Sequence, residues 1–133
     1  MASEKVRIVG MVIQNGKILM LKARGYKELW TPGKSMEVGE TDEECLQREL
    51  KEELKVKLVN CKFFKEYYSK SFYSESMVRE RVYITTISGE IKEGGEISSH
   101  LWLTKEEFLS RKYPMVPLTE KQMIPDLIKA KIF

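Results

Sequence analysis

The chain has 133 residues, 42% hydrophobic and 32% charged. This suits one folded domain over 1–133 and excludes both wholesale disorder and a second independent core. Lys and Arg total 23 against 20 Asp and Glu, a net charge of +3, too mild to imply a nucleic acid or a membrane surface as partner.

Residues 5–13 (KVRIVGMVI) and 17–23 (KILMLKA) are β-prone runs around Asn15-Gly16, a pair that favours a hairpin because both turn residues need positive φ. Residues 31–40, with Pro32, Gly33 and Gly39, read as a loop. The spacing predicts a helix over 42–54: Thr41 and Glu44 form a capping box, and Leu46, Leu50 and Leu54 make one apolar stripe. Strands are expected over 56–68 and 77–88, then a turn-rich connection over 88–96 and a short strand over 98–103. Thr104 and Glu107 make a second capping box, opening a helix to about Arg111. A last helix is expected over 119–131, with Pro125 disturbing its start or its straightness. This order predicts an α+β fold, a mixed sheet with helices on its faces.

No apolar run approaches the roughly 20 residues of a membrane span. The opening MASEKVRIVG lacks the apolar segment and cleavage site of a signal peptide. Cys45 and Cys61 have neither metal-site nor redox spacing and read as reduced thiols of a cytoplasmic protein.

Nearly all the acid is Glu, with Asp42 and Asp126 the two aspartates. At 100° per residue, Arg48, Glu49, Glu52 and Glu53 fall within one arc of about 140°, beside the leucine stripe. Like charges at i,i+4, such as Glu49 and Glu53, cost an isolated helix about 0.2–0.5 kcal/mol per pair. A divalent cation reverses that sign, and hard carboxylate oxygens suit magnesium. A solvated surface helix would also tolerate this cost, so the longer pattern decides. Gly39-Glu40 precedes the helix, seven residues follow, and then Arg48-Glu49-Leu50-Lys51-Glu52-Glu53. With positions taken as independent, that spacing arises by chance about once in ten thousand chains or less.

Glu40, Arg48, Glu49, Leu50, Glu52, Glu53 and Val56 resemble, in identity and spacing, the motif of the Nudix hydrolases (MutT-like). Trp30-Thr31-Pro32-Gly33 is similar to the segment that often leads into it, and the flanking strands and Trp102 extend the likeness over nearly the whole chain. Two motif glycines are replaced, by Lys34 and Lys55. Lys55 falls at the helix C′ position, where a left-handed non-glycine residue costs about 1 kcal/mol. Lys34 is expected to bind a substrate phosphate, to pair with a Glu in competition with metal, or to be solvated.

The resemblance implies a Nudix-type α/β/α sandwich whose central helix is catalytic. It also implies hydrolysis of a phosphoanhydride in a nucleoside diphosphate derivative, with magnesium, or manganese in its place, as cofactor. The small-molecule substrate favoured by analogy is a nucleoside triphosphate. Glu52 and Glu53 are then the principal metal ligands, Glu49 a third ligand or the general base, and the Gly33 carbonyl a further ligand. Arg48 orients the glutamates, with Glu37 or Glu44 as its partner, and Glu40 anchors the loop or a metal. A Glu before the late Trp completes the site in relatives; Glu96 is the choice here and Glu93 the second.

Trp30, Tyr73 and Lys34 are the candidate substrate-binding residues. The run 63–73 interleaves aromatics with lysines, which suits sheet packing more than base stacking. His100 reads as a strand residue. The alternatives are a catalytically impaired nucleotide- or RNA-binding module on the same fold, and an interaction domain whose acidic helix meets a basic partner. A membrane partner is not expected, nor a nucleic acid; a homodimer is left open.

Overall fold

The computed structural model describes residues 5–133. The first four residues of the N-terminal segment read above for a signal peptide lie outside the described residues. The elements in chain order are β1 (Lys5–Gln14), β2 (Lys17–Ala23), β3 (Leu29–Trp30), β4 (Gly33–Ser35), α1 (Asp42–Leu54), β5 (Lys57–Lys70), β6 (Met77–Ser88), β7 (Ile97–Leu103) and α2 (Lys105–Leu109). A π-helical turn (Thr119–Met123) then runs into α3 (Ile124–Lys129).

β1 explains the layering. Its first half pairs with β4, its end pairs with β2, and along most of its length it runs parallel to β6. β5 flanks β6 and β7 flanks β2, both antiparallel, which makes one mixed sheet of seven strands. Side chains alternate across it. Val9, Met11, Ile18 and Met20 face a core closed by Met123, Ile124 and Leu127. Ile8, Val12, Leu19 and Leu21 face the opposite core, closed by Leu46, Leu50 and Leu54 of α1. Burial on both faces is why β1 and β2 read as near-continuous apolar runs. Gly10 lets α1 approach, since a Cβ there would lie 2.9 Å from Leu46 Cδ1. The expected sandwich is what forms.

Several expectations hold in detail. Asn15 and Gly16 have φ of 52° and 72°. α1 spans the expected residues and carries both reciprocal bonds of the Thr41/Glu44 box. Three details differ. The 31–40 loop contains the short strand β4, because Gly33 and Lys34 find hydrogen-bonding partners on β1. α2 stops at Leu109, short of Arg111. The last helix starts as a π-turn, and Pro125 sits in the first turn of α3, where its missing N–H costs least. The aromatic run divides: Tyr67 is buried and donates to Asp126 at 2.7 Å, while Phe63, Tyr68, Phe72 and Tyr73 are exposed. No helix is long and apolar enough to cross a membrane, and both cysteines are free thiols.

The end of α1 shows how the chain tolerates a lysine in a glycine position. Lys55 adopts the left-handed conformation at φ 57°, and its N–H and that of Val56 both reach back to the Leu50 carbonyl. The Lys55 ammonium donates to the Glu52 carbonyl at 3.1 Å. Gly94 and Lys92 donate to the carbonyls of Glu53 and Leu54, each at 2.9 Å. The 89–96 loop is thereby fastened to the helix terminus. Lys55→Gly removes the left-handed penalty and loses one exposed hydrogen bond. The expected net gain is about 0.5–1 kcal/mol, read as a rise of about 2–4 °C in the thermal unfolding midpoint by circular dichroism.

Candidate active site

The acidic edge of α1 is not an even row of solvated carboxylates. Glu49 is fully buried, Glu53 retains 13% side-chain exposure and Glu52 retains 47%. The helix turns Glu49 in toward the sheet beside Leu46 and Leu50, while Glu52 lies on the outer flank. Neither Glu49 oxygen has a hydrogen-bond partner. Burial pushes its proton affinity well above the ordinary carboxylate range, and the neighbouring Glu53 carboxyl adds to that shift. Arg7 and the backbone of Gly33 oppose it. A buried acid with both oxygens orphaned is costly and calls for a partner of opposite charge.

The cations at this edge come from two side chains. Lys34 Nζ lies 2.7 Å from Glu52 and 3.9 Å from Glu53. These contacts hold the Glu52 carboxyl below its usual range and raise the lysine above its own. Lys34 is paired with Ile8 across β1/β4, and Ile8 faces α1, so Lys34 shares that face. Arg48 is clamped by Glu40, Nε to Oε2 at 2.6 Å and Nη2 to Oε1 at 3.0 Å, and its Nη2 also donates to the Ser35 carbonyl at 3.2 Å. Glu37 and Glu52 each lie 3.6 Å away.

The expectation of a Glu37 or Glu44 partner is corrected in this respect: Glu44 is committed to its capping box, Glu37 is a secondary contact, and Glu40 is the principal partner. Glu40 also accepts from Glu37 N–H at 2.8 Å, and with Arg48 its carboxyl is held down to about 2. Glu40 is thus the loop anchor. Among the described residues no three His, Cys, Asp or Glu side chains converge as a metal cluster. Glu52 is instead paired with Lys34 and lies 3.6 Å from Arg48.

A cleft of about 1040 Å³ opens on the other side of Gly33, lined by Trp30, Thr31, the 69–75 turn, Glu80 and the 116–122 segment. Trp30 stacks on Tyr73 with centroids 4.7 Å apart, and Tyr26 packs on Tyr73 at 4.6 Å. The Trp30 indole N–H is buried without a partner. Lys121 supplies positive charge to the lining, while Lys70 is paired with Glu75 at 2.7 Å. The cleft lining does not include the α1 carboxylates.

Arg7 bridges the two regions. It donates to Glu80 at 2.7 Å and to the Thr31 carbonyl at 2.8 Å, and its guanidinium lies 5.8 Å from the Trp30 ring centroid. A Cβ on Gly33 would sit 2.9 Å from Arg7 Cζ and 2.6 Å from the Ile8 carbonyl oxygen, so only glycine fits there.

Arg7 and Glu80 were not among the residues singled out from the sequence. The available signal was their parity: Arg7 alternates with Val9 and Met11, and Glu80 with Val82, so both are charged residues at inward strand positions. Trp30, Tyr73, Gly33 and Lys34 lie in the two adjoining regions, as does the carboxylate set. Glu93 and Glu96 belong to the loop fastened to the end of α1. Glu93 is engaged by His100, whereas Glu96 is exposed and its carbonyl accepts from Arg24 N–H at 2.9 Å.

The buried Glu49 carboxyl has a thermodynamic consequence. Its raised affinity means the folded chain keeps a proton that the unfolded chain releases near pH 4.5, the ordinary value. Metal-free stability therefore falls as pH rises from there toward the folded value, by up to about 1.4 kcal/mol per pH unit. Thermal unfolding in chelator between pH 5 and 8 should show this decline in the wild type and a flatter profile in Glu49→Gln.

Comparison with known proteins bears on the family and the fold. A family model described as the NUDIX domain matches residues 4–127. A NUDIX hydrolase from Nitrosomonas europaea is similar in structure at a TM-score of 0.82 and 19% identity, covering 97% of this chain and 91% of its own. The E. coli ORF135 protein is similar at 0.76 and 18%, covering 96% and 93%. A MutT protein from Bacillus halodurans is similar at 0.70 and 23%, covering 84% and 74%. No curated protein sequence matches. With the family match spanning nearly every residue, the chain belongs to the NUDIX hydrolase family.

Proposed function

We propose that this protein hydrolyses a phosphoanhydride bond in a nucleoside diphosphate derivative, with a nucleoside triphosphate the favoured substrate, and that it requires magnesium or manganese. The observation that carries the reading is the Glu49 carboxyl: fully buried, both oxygens unpartnered, with Glu53 beside it. A protein keeps so costly a group where a cation is to be held. The donor set fits, since carboxylate and backbone carbonyl oxygens are hard ligands of the kind magnesium takes.

Glu52, Glu53 and Glu49 would hold the ion, with the Gly33 carbonyl as an added ligand and Glu96 as the loop carboxylate nearest in sequence to that role. The bound ion would neutralise phosphate charge and lower the pKa of a coordinated water. The remaining work falls to the chain. Arg48, clamped by Glu40 and by the Ser35 carbonyl, fixes the α1 flank against β4 so the carboxylates stay in register. Glu49 serves as the third carboxylate ligand or, in its place, as the general base that accepts the proton of attacking water. Lys121 offsets phosphate charge along the cleft, joined by Lys70 and Arg7 where phosphate displaces their partners Glu75 and Glu80. Trp30 and Tyr73 offer flat aromatic surface to a base, and the orphaned Trp30 N–H offers a donor. A small-molecule partner suffices for these features; the proposed location is the cytoplasm.

A panel of nucleoside triphosphates, ADP-ribose and dinucleoside polyphosphates, assayed with and without magnesium, tests this directly. At least one compound should turn over only with metal, and Glu53→Gln should lower kcat by about 100-fold or more. Nucleotide binding without turnover across the panel would point instead to a non-catalytic binding module.

Trp30→Ala and Tyr73→Ala should raise KM about tenfold while changing kcat less, because stacking is worth about 1–3 kcal/mol and does not touch the reacting phosphorus. An equal loss in kcat would remove them from the base-binding role.

A further inference from the structure

The residue that departs most consequentially from the family motif is Lys34, and its backbone gives no reason for glycine at that position. It lies in β4, hydrogen-bonded in register with Ile8, and is not among the residues with positive φ. What distinguishes it is the destination of its side chain. The ammonium sits 2.7 Å from a Glu52 oxygen and 3.9 Å from a Glu53 oxygen. Behind Glu53 lies the buried Glu49 carboxyl with two unpartnered oxygens. A cation tethered to β4 therefore occupies the open side of the carboxylate edge, on the two glutamates proposed as principal metal ligands.

We infer that Lys34 is an internal counter-cation of this site, competing with the divalent ion for Glu52 and Glu53 and weakening metal binding by the free protein. The inference rests on the reading of the α1 edge as a metal site. Its physical basis is charge and access. An ammonium and a divalent ion cannot both take the same carboxylate oxygens, and their mutual repulsion opposes simultaneous occupancy nearby. The pair is half-open to solvent, with 39% of the Lys34 side chain and 47% of the Glu52 side chain exposed, so the lysine can be displaced. Arg48 does not replace it: its guanidinium is engaged by Glu40 and the Ser35 carbonyl and reaches Glu52 only at 3.6 Å, against 2.7 Å for Lys34.

Manganese binding to the nucleotide-free protein, followed by the loss of the free-ion signal in electron paramagnetic resonance, tests this without reference to turnover. Lys34→Met keeps the stem and removes the charge; it should bind manganese about three- to tenfold tighter than the wild type at low ionic strength. The gap should narrow at about 0.5 M KCl, where exposed charge pairs are screened. Lys34→Arg keeps the charge and should bind like the wild type. Glu53→Gln should lose most of the binding. Circular dichroism checks folding, and Lys34→Gln serves if Lys34→Met unfolds. Unchanged or weaker binding in the uncharged variants, with Glu53→Gln still defective, overturns the role of Lys34 and leaves the metal site standing. Equal binding by Glu53→Gln and the wild type overturns the metal-site reading itself.

Discussion

The site is organised around one unfavourable burial. Glu49 lies wholly inside the protein with two oxygens that bond to nothing, one helical turn from Glu53. A helix cannot carry such a group at no cost, and the surroundings show how the cost is met. Leu46, Leu50 and Leu54 fix the helix against the sheet. The Thr41/Glu44 box fixes its start, and the 89–96 loop fixes its end through hydrogen bonds to the last carbonyls. On the helix Glu49 sits beside Cys45, Leu46 and Leu50, which belong to the core and keep its carboxyl inside. The electrostatic strain is thereby confined to the inner edge of α1.

The two halves of the site depend on the way β1 divides its partners. Its first half pairs with β4 and its last residues with β2. Between these pairings the 30–33 segment passes close enough that Gly33 touches Arg7 and Ile8. That crossing places a carboxylate edge on one side and an aromatic cleft on the other, with Arg7 common to both. The guanidinium is held by Glu80 of β6 and by Trp30 and Thr31 at the end of β3, so its position is set by three contacts rather than by one flexible stem. A substrate with an anionic middle and a flat end matches this layout.

Local signals carried much of this into the sequence. Thr41 and Glu44 marked the start of α1, the leucine stripe marked its buried face, and Asn15-Gly16 marked the first hairpin, because each depends on neighbours within four residues. The burial of Glu49 was not legible in the same way. A helical wheel places Glu49 and Glu52 on one arc, but which side of that arc meets the sheet is decided by β4, and β4 exists because residues 33–35 pair with β1 more than 20 positions earlier. The clamp between Arg48 and Glu40 escaped for the same reason: spacing along the helix favoured Glu44, whereas the loop folds back to deliver Glu40. Arg7 and Glu80 were hidden among strand residues because a charge at an inward position has meaning only when its partner strand is known.

The two lysines in glycine positions divide along the line between stability and chemistry. Lys55 takes the left-handed conformation the position requires and recovers part of the cost through its own ammonium, bound to a carbonyl of the same helix end. Its effect stays with the fold. Lys34 needs no special backbone, so the steric argument for glycine is absent, and its charge is delivered to the carboxylates instead. A neutral, side-chain-free residue in β4 would leave Glu52 and Glu53 without the Lys34 ammonium, a more negative site with greater attraction for a divalent ion. The substitution thus tempers the electrostatic strain built around Glu49 without removing any of the groups that create it.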